Sequence, residues 1–297
     1  MPTPSHPAED KGRTLPGLLF LSALWLQFCY VLAPSWEGGT YYDYGWLAPP
    51  VIAFFAYSRW NDRLNSPTTP QNAVWIKILI ALGILSLIPI RVIQHVDALW
   101  RLPLWAHACT LLALTHLTIG FLKGWRRSLY LMPATFLILV AVPLPFGVQT
   151  TLVEVLTQLV LDLSHKTLPI LGYPAVLSGS SFVVDGKMLD VAEGCSGIRS
   201  FQSCIMAALA LGELSRFKIP KRITLLILAL AVAVVANATR IVVLIRIAYN
   251  EGHDAMDKAH DGVGLWTAIV TYLVIGAVSW LMGYLSQKKG RVVRRKV

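Results

Sequence analysis

Residues 222–248 read RITLLILALAVAVVANATRIVVLIRIA. A bilayer's hydrocarbon core is about 30 Å thick and takes roughly 20 apolar helical residues to cross. This run is long enough, yet it carries Asn237 and Arg240 in its interior. A guanidinium inside a membrane is costly unless it faces a polar cavity or a partner, so its first reading is functional. Arg222 marks the cytoplasmic edge of the run. Eighteen residues at about 1.5 Å each lift Arg240 roughly 27 Å above it, near the outer face. Arg246 lies further out and reads as a side chain snorkelling to head groups.

The rest of the chain agrees with a membrane setting. Of 297 residues, 55% are hydrophobic and only 14% charged, against about 25% charged in soluble domains. Nine apolar runs cover approximately 17–34, 45–58, 75–93, 103–122, 129–147, 149–171, 197–214, 222–248 and 265–286. The net charge of +10 gathers in five short basic clusters, at Lys11/Arg13, Arg59/Arg63, Lys123–Arg127, Arg216–Arg222 and Lys288–Lys296. The positive-inside rule places all five in the cytoplasm. Scattered short clusters of this kind do not make a nucleic-acid surface.

Parity then fixes the crossings. If 149–171 crossed, the basic loop after 214 would fall outside. The run also carries Gln149, Glu154, Gln158, Asp162 and His165 at roughly helical spacing, so it is expected to lie in the outer interface. The expected fold is an all-α polytopic membrane protein. It has about eight transmembrane helices, one outer interfacial amphipathic helix over 149–171, and a small extracytoplasmic β-hairpin. Both termini are expected in the cytoplasm. Segment 1–16 is a cytoplasmic lead without a signal-peptide cleavage pattern. The membrane domain spans 17–286, and 287–297 is a basic cytoplasmic tail. The hairpin, within 172–194, follows from β-rich pieces at Ser181–Val184 and Lys187–Val191 flanking Asp185-Gly186, a strong hairpin signal. Run 45–58 is the shortest and spans only if flanking residues are included.

The hairpin leads straight into Glu193-Gly194-Cys195-Ser196-Gly197-Ile198-Arg199. A helix starting near Ser196 or Gly197 points its positive end at Cys195, which favours the thiolate. Arg199 lies one turn on. Cys29, Cys109 and Cys204 sit in apolar runs and read as small hydrophobes. Cys195 and Cys204 are about 13 Å apart along a helix, too far for a disulfide. His260 falls in a loop expected over 249–264, just before the last run, with His253 as a competitor. A thiol, a guanidinium and an imidazole thus arrive at one membrane surface, and together they are the kit for acyl transfer. No spacing resembles a metal site and no phosphate-binding glycine loop is present, so no cofactor is expected. A rival reading is a non-enzymatic transporter or assembly factor with Arg240 in a permeation path.

These residues carry a resemblance. Ala141-Val142-Pro143-Leu144-Pro145 is similar to the Pro-x-Pro turn of the exosortase/archaeosortase family. Val191–Arg199 resembles that family's Cys-Ser-Gly signature, Asn237-Ala238-Thr239-Arg240-Ile241 its Asn-x-x-Arg-Ile motif, and His260-Asp261-Gly262-Val263-Gly264 its His-x-x-x-Gly motif. The ordered set covers roughly 75–286, and histidine in the last motif points to the bacterial branch.

The resemblance implies a membrane cysteine protease-transpeptidase with Cys195, Arg240 and His260 catalytic. Arg199, Asn237, Glu193, Ser196 and Gly264 support them. It implies exported substrates ending in a short motif, a transmembrane helix and a basic tail, and a link to exopolysaccharide production. It implies a bacterial inner-membrane location with the site facing the periplasm. The expected partners are such substrates and the lipid bilayer, with no nucleic acid.

Overall fold

A computed structural model describes residues 7–37, 41–62, 73–173, 175–184, 187–190 and 198–294, with backbone alone at 7–13, 187–190 and 287–294. The chain divides into two compact units, Met1–Pro145 and Phe146–Val297. The division falls inside the stretch read from sequence as one membrane domain. Pro143 and Pro145, at the division, are residues that cannot continue a helix.

The first unit holds α1 (Pro7–Leu32), α2 (Ala48–Asn61), α3 (Val74–Val96), α4 (Arg101–Lys123), α5 (Trp125–Thr135) and the single turn α6 (Ile138–Ala141). Two short 3-10 turns, Ala33–Trp36 and Asp43–Leu47, join α1 to α2. Phe28, Leu32, Trp36, Leu104, Leu111, Leu114 and Ile138 are fully buried there. The end of α2 is tied down: Arg127 donates to the carbonyls of Arg59, Trp60 and Asp62. Arg59 lies over the Tyr130 ring and donates to its carbonyl.

The second unit holds α7 (Phe146–Ile170), β1 (Val176–Ser178), β2 (Ser181–Val184), β3 (Lys187–Asp190), α8 (Ile198–Leu214), α9 (Ile219–Glu251) and α10 (His253–Arg294). Val160, Leu161 and Leu168 of α7, Phe182 and Val184 of β2, and Ala238, Ile241, Val242 and Ile245 of α9 form one apolar core. A second core joins Cys204 and Ala208 of α8 to Leu225, Ala229 and Ala233 of α9 and Ile275 of α10. Glu213, fully buried at the end of α8, pairs with Arg216 at 3.2 Å and with Arg222 of α9 at 2.7 Å. These two ion pairs pin the short α8–α9 turn.

The helical, multi-pass character is as the sequence predicts, while the count of eight spanning helices is not confirmed among the described residues. Among the described residues, six helices are long and apolar enough to cross a membrane: α1 from Thr14 on, α3, α4, α7, α9 and α10. Run 45–58 yields only the 14 residues of α2, about 21 Å of helix. Run 129–147 is broken between α5 and α6, after Pro133. Run 197–214 gives the 17-residue α8. The amphipathic run 149–171 forms one 25-residue helix that is itself long enough to span.

The hairpin forms with Val184 opposite Lys187 and Ser181 opposite Asp190, while its tip, Asp185-Gly186, lies outside the described residues. A third strand, β1, adds to it antiparallel. The β1–β2 turn passes through Gly179 at φ 62, a left-handed conformation that glycine adopts at no steric cost. The expected loop 249–264 is a correction: α9 continues to Glu251, and α10 begins at His253 and includes His260. Only Gly252, at φ 89, breaks the helix. The sequence stretch HDAMDKAHDG is polar but holds no proline, so nothing in it stops a helix.

Candidate active site

The α9–Gly252–α10 hairpin builds the one part of the expected site that lies wholly within described residues. Gly252 sits at its tip, so positions equally far before and after it come level on two antiparallel helices. Arg240 and Gly264 each lie twelve residues from Gly252, and His260 lies one helical turn from Gly264. The geometry follows this symmetry. Arg240 Nη2 stands 3.0 Å from His260 Nε2. A Cβ on Gly264 would sit 3.2 Å from Arg240 Nη2, 3.3 Å from Cζ and 3.5 Å from Nε. Glycine at this position therefore lets the guanidinium lie directly against the α10 backbone. The four-residue spacing of His260 and Gly264 is helical: both face α9.

Arginine is a donor only, so Arg240 donates and His260 Nε2 accepts. His260 Nδ1 lies 3.2 Å from Asp261 Oδ1. The imidazole is partly exposed and the Asp261 carboxylate fully so. Arg240 Nε is buried and has no hydrogen-bond partner among the described residues. Buried N–H groups without partners are rare, and each asks for an explanation. His253 Nε2 is also buried without a partner among the described residues. Of the two histidines, His260 is the one within hydrogen-bond distance of Arg240.

Asn237 is buried one turn before Arg240. Arg199 lies exposed in the first turn of α8, which begins at Ile198. Cys195, with Glu193 and Ser196, lies outside the described residues. Two polar groups were not singled out from sequence. Asp261 was hidden inside the His-x-x-x-Gly pattern. Gln202, one turn into α8, is 3% exposed with both amide atoms unpartnered among the described residues. A glutamine in an apolar run was the only available signal for it.

The Pro-x-Pro segment belongs to the first unit, where side chains satisfy its backbone. Tyr44 donates to Val140 O at 2.6 Å, Trp36 to Ala141 O at 2.8 Å, Trp105 to Pro143 O at 2.8 Å and Arg101 to Leu144 O at 3.0 Å. The Leu144 N–H donates to Tyr42 Oη at 2.8 Å. A segment that two prolines hold out of helix would otherwise leave these carbonyls unpaired in an apolar interior.

Fold and site together describe a multi-pass helical membrane protein with a part-buried arginine held by a histidine across a helix hairpin. The transmembrane exosortase model (Exosortase_EpsH) matches residues 36–285, and the chain belongs to that family. No curated protein and no solved structure matches.

Proposed function

We infer that the protein is a membrane cysteine peptidase and transpeptidase acting on exported proteins. The observation that carries the reading is the Arg240–His260 contact at 3.0 Å. It pairs two of the three residues that the family motifs nominate, from segments twenty positions apart. In the reaction, Cys195 Sγ attacks the carbonyl carbon of a peptide bond near the outer end of the substrate's transmembrane helix. His260 takes the thiol proton as general base. Arg240 donates to the oxyanion, or pairs with the thiolate before attack. Collapse breaks the C–N bond, and His260 returns the proton to the leaving amine. The resulting thioester is resolved by an amine, a hydroxyl or water, which regenerates the thiol.

The substrate is an exported protein ending in a short motif, a transmembrane helix and a basic tail. The site faces the periplasmic side of the inner membrane, with both termini cytoplasmic. The 33 residues of α9 make about 49 Å of helix, more than the roughly 30 Å core. The turn or so around Arg240 thus reaches the outer boundary if Arg222 marks the inner one. Helix α7 and the β-sheet flank the approach taken by the substrate helix.

The test is Cys195→Ala in cells carrying a tagged substrate with such a tail. Unprocessed substrate alongside normal enzyme levels is the expected result. Continued processing would leave the non-enzymatic reading, a transporter or assembly factor, as the better one.

A further inference from the structure

We propose that Asp261 is a positioning residue that acts through His260 on Arg240. The inference rests on the reading of this site as a cysteine peptidase and goes beyond it by assigning a role to a residue that no family motif names. A guanidinium has five N–H donors and no acceptor. The 3.0 Å contact from Arg240 Nη2 therefore requires a lone pair on His260 Nε2. An imidazole with a lone pair on Nε2 carries its proton on Nδ1. That nitrogen lies 3.2 Å from Asp261 Oδ1, an acceptor when ionised. The two contacts specify one tautomer, and Asp261 favours it over the other.

The consequence reaches Arg240. With the opposite tautomer, two N–H groups would face each other and the contact would be lost. With the tautomer that Asp261 selects, Nη2 is held. Gly264 allows the guanidinium to lie flat against α10. Nε–H lies on the same edge of the guanidinium as Nη2 and is buried with no partner among the described residues. The carboxylate thus sets the imidazole, the imidazole sets the guanidinium, and the guanidinium keeps one buried donor in reserve for a developing oxyanion. The same tautomer presents the lone pair that takes the thiol proton, once Nη2 turns from Nε2 to the substrate oxygen.

The experiment uses the full-length protein in lipid nanodiscs, labelled with 15N-histidine. The His260 signals are assigned by their loss in His260→Gln. The wild type is expected to show an unprotonated Nε2 and a protonated Nδ1. Asp261→Ala should shift the tautomer ratio toward Nε2–H about fivefold, the size of one ordinary hydrogen bond. It should lower kcat on a tailed substrate by a similar factor and leave KM unchanged. Asp261→Asn, whose carbonyl still accepts, should restore most of both. A wild-type Nε2 that carries the proton overturns the proposal without any variant having to fold. So does an Asp261→Ala protein with an unchanged tautomer ratio. Either result, with processing still abolished by Cys195→Ala, removes the role of Asp261 and keeps the peptidase. Processing that survives Cys195→Ala removes the peptidase itself.

Discussion

The Pro-x-Pro turn of the first unit and the Arg240–His260 pair of the second are both polar features in an apolar chain, and they are built in opposite ways. At the turn, four carbonyls and one N–H each meet a side chain from Trp36, Tyr42, Tyr44, Arg101 or Trp105. At the pair, Arg240 Nε stays buried without a described partner, and the imidazole is partly open to solvent. A fully satisfied network rigidifies. A site that must bind something keeps donors unspent. The turn reads as scaffold and the pair as machinery, and substitutions should separate the two.

The largest effect is expected at the pair. Arg240→Ala should lower processing by about 10²–10³-fold, the range for removing a principal oxyanion donor. Its thermal unfolding in detergent should change little, because the residue leaves a polar rather than an apolar gap. A comparable loss of stability would move Arg240 to the scaffold side.

Trp36→Ala should show the reverse. Trp36 is 1% exposed and stacks edge-on with Trp46, and a side chain at Gly45 would collide with its indole. Truncating a buried aromatic costs about 3–5 kcal/mol. Unfolding should come earlier and protein levels should fall, while activity per folded molecule is kept. Lost specific activity at normal stability would give the turn a direct part in chemistry.

Gly264→Ala lies between these in size. The added Cβ meets Arg240 Nη2 at 3.2 Å and Cζ at 3.3 Å, closer than it rests comfortably, so Arg240 must shift by a few tenths of an ångström. A roughly tenfold fall in kcat is expected, since misplacement of a reacting group is amplified in rate. Steady-state kinetics check it, and an unchanged kcat would show that the guanidinium is not held against α10. The smallest effect belongs to Tyr44→Phe. It removes one donor to Val140 O and should cost about 1 kcal/mol in unfolding measurements, with no change in kcat.

The sequence revealed these regions unequally, for physical reasons. Long apolar runs report membrane helices because the bilayer selects on composition alone. Five of the nine runs, those in α1, α3, α4, α9 and α10, became helices of spanning length as expected. Arg240 announced itself because charge inside such a run is costly. His260 was legible as a residue but not as a helical one. The polar start of α10 lacks the apolar rhythm that marks an amphipathic helix, and its docking on α9 decides the outcome. The break after Pro133 and the shortness of α2 depend on how the chain packs, which hydropathy does not register.

The clamp on the Pro-x-Pro turn left no trace at all. Its donors come from residues 38 to 105 positions away and act on backbone carbonyls, which have no sequence signature. Asp261 went unnoticed because a carboxylate beside a histidine is ordinary in a polar stretch. It gains meaning only once Arg240 is seen to occupy the other ring nitrogen.

The central claim is that Cys195 is a nucleophile working with this pair. The most direct measurement is mass spectrometry on full-length protein incubated with a tailed substrate and quenched in acid. A thioester joining Cys195 to the carboxyl end of the cleaved substrate, released by hydroxylamine and missing in Cys195→Ala, is the predicted result. Cleaved substrate with no adduct on Cys195 at any quench time, or an adduct on Cys29, Cys109 or Cys204 instead, would contradict it.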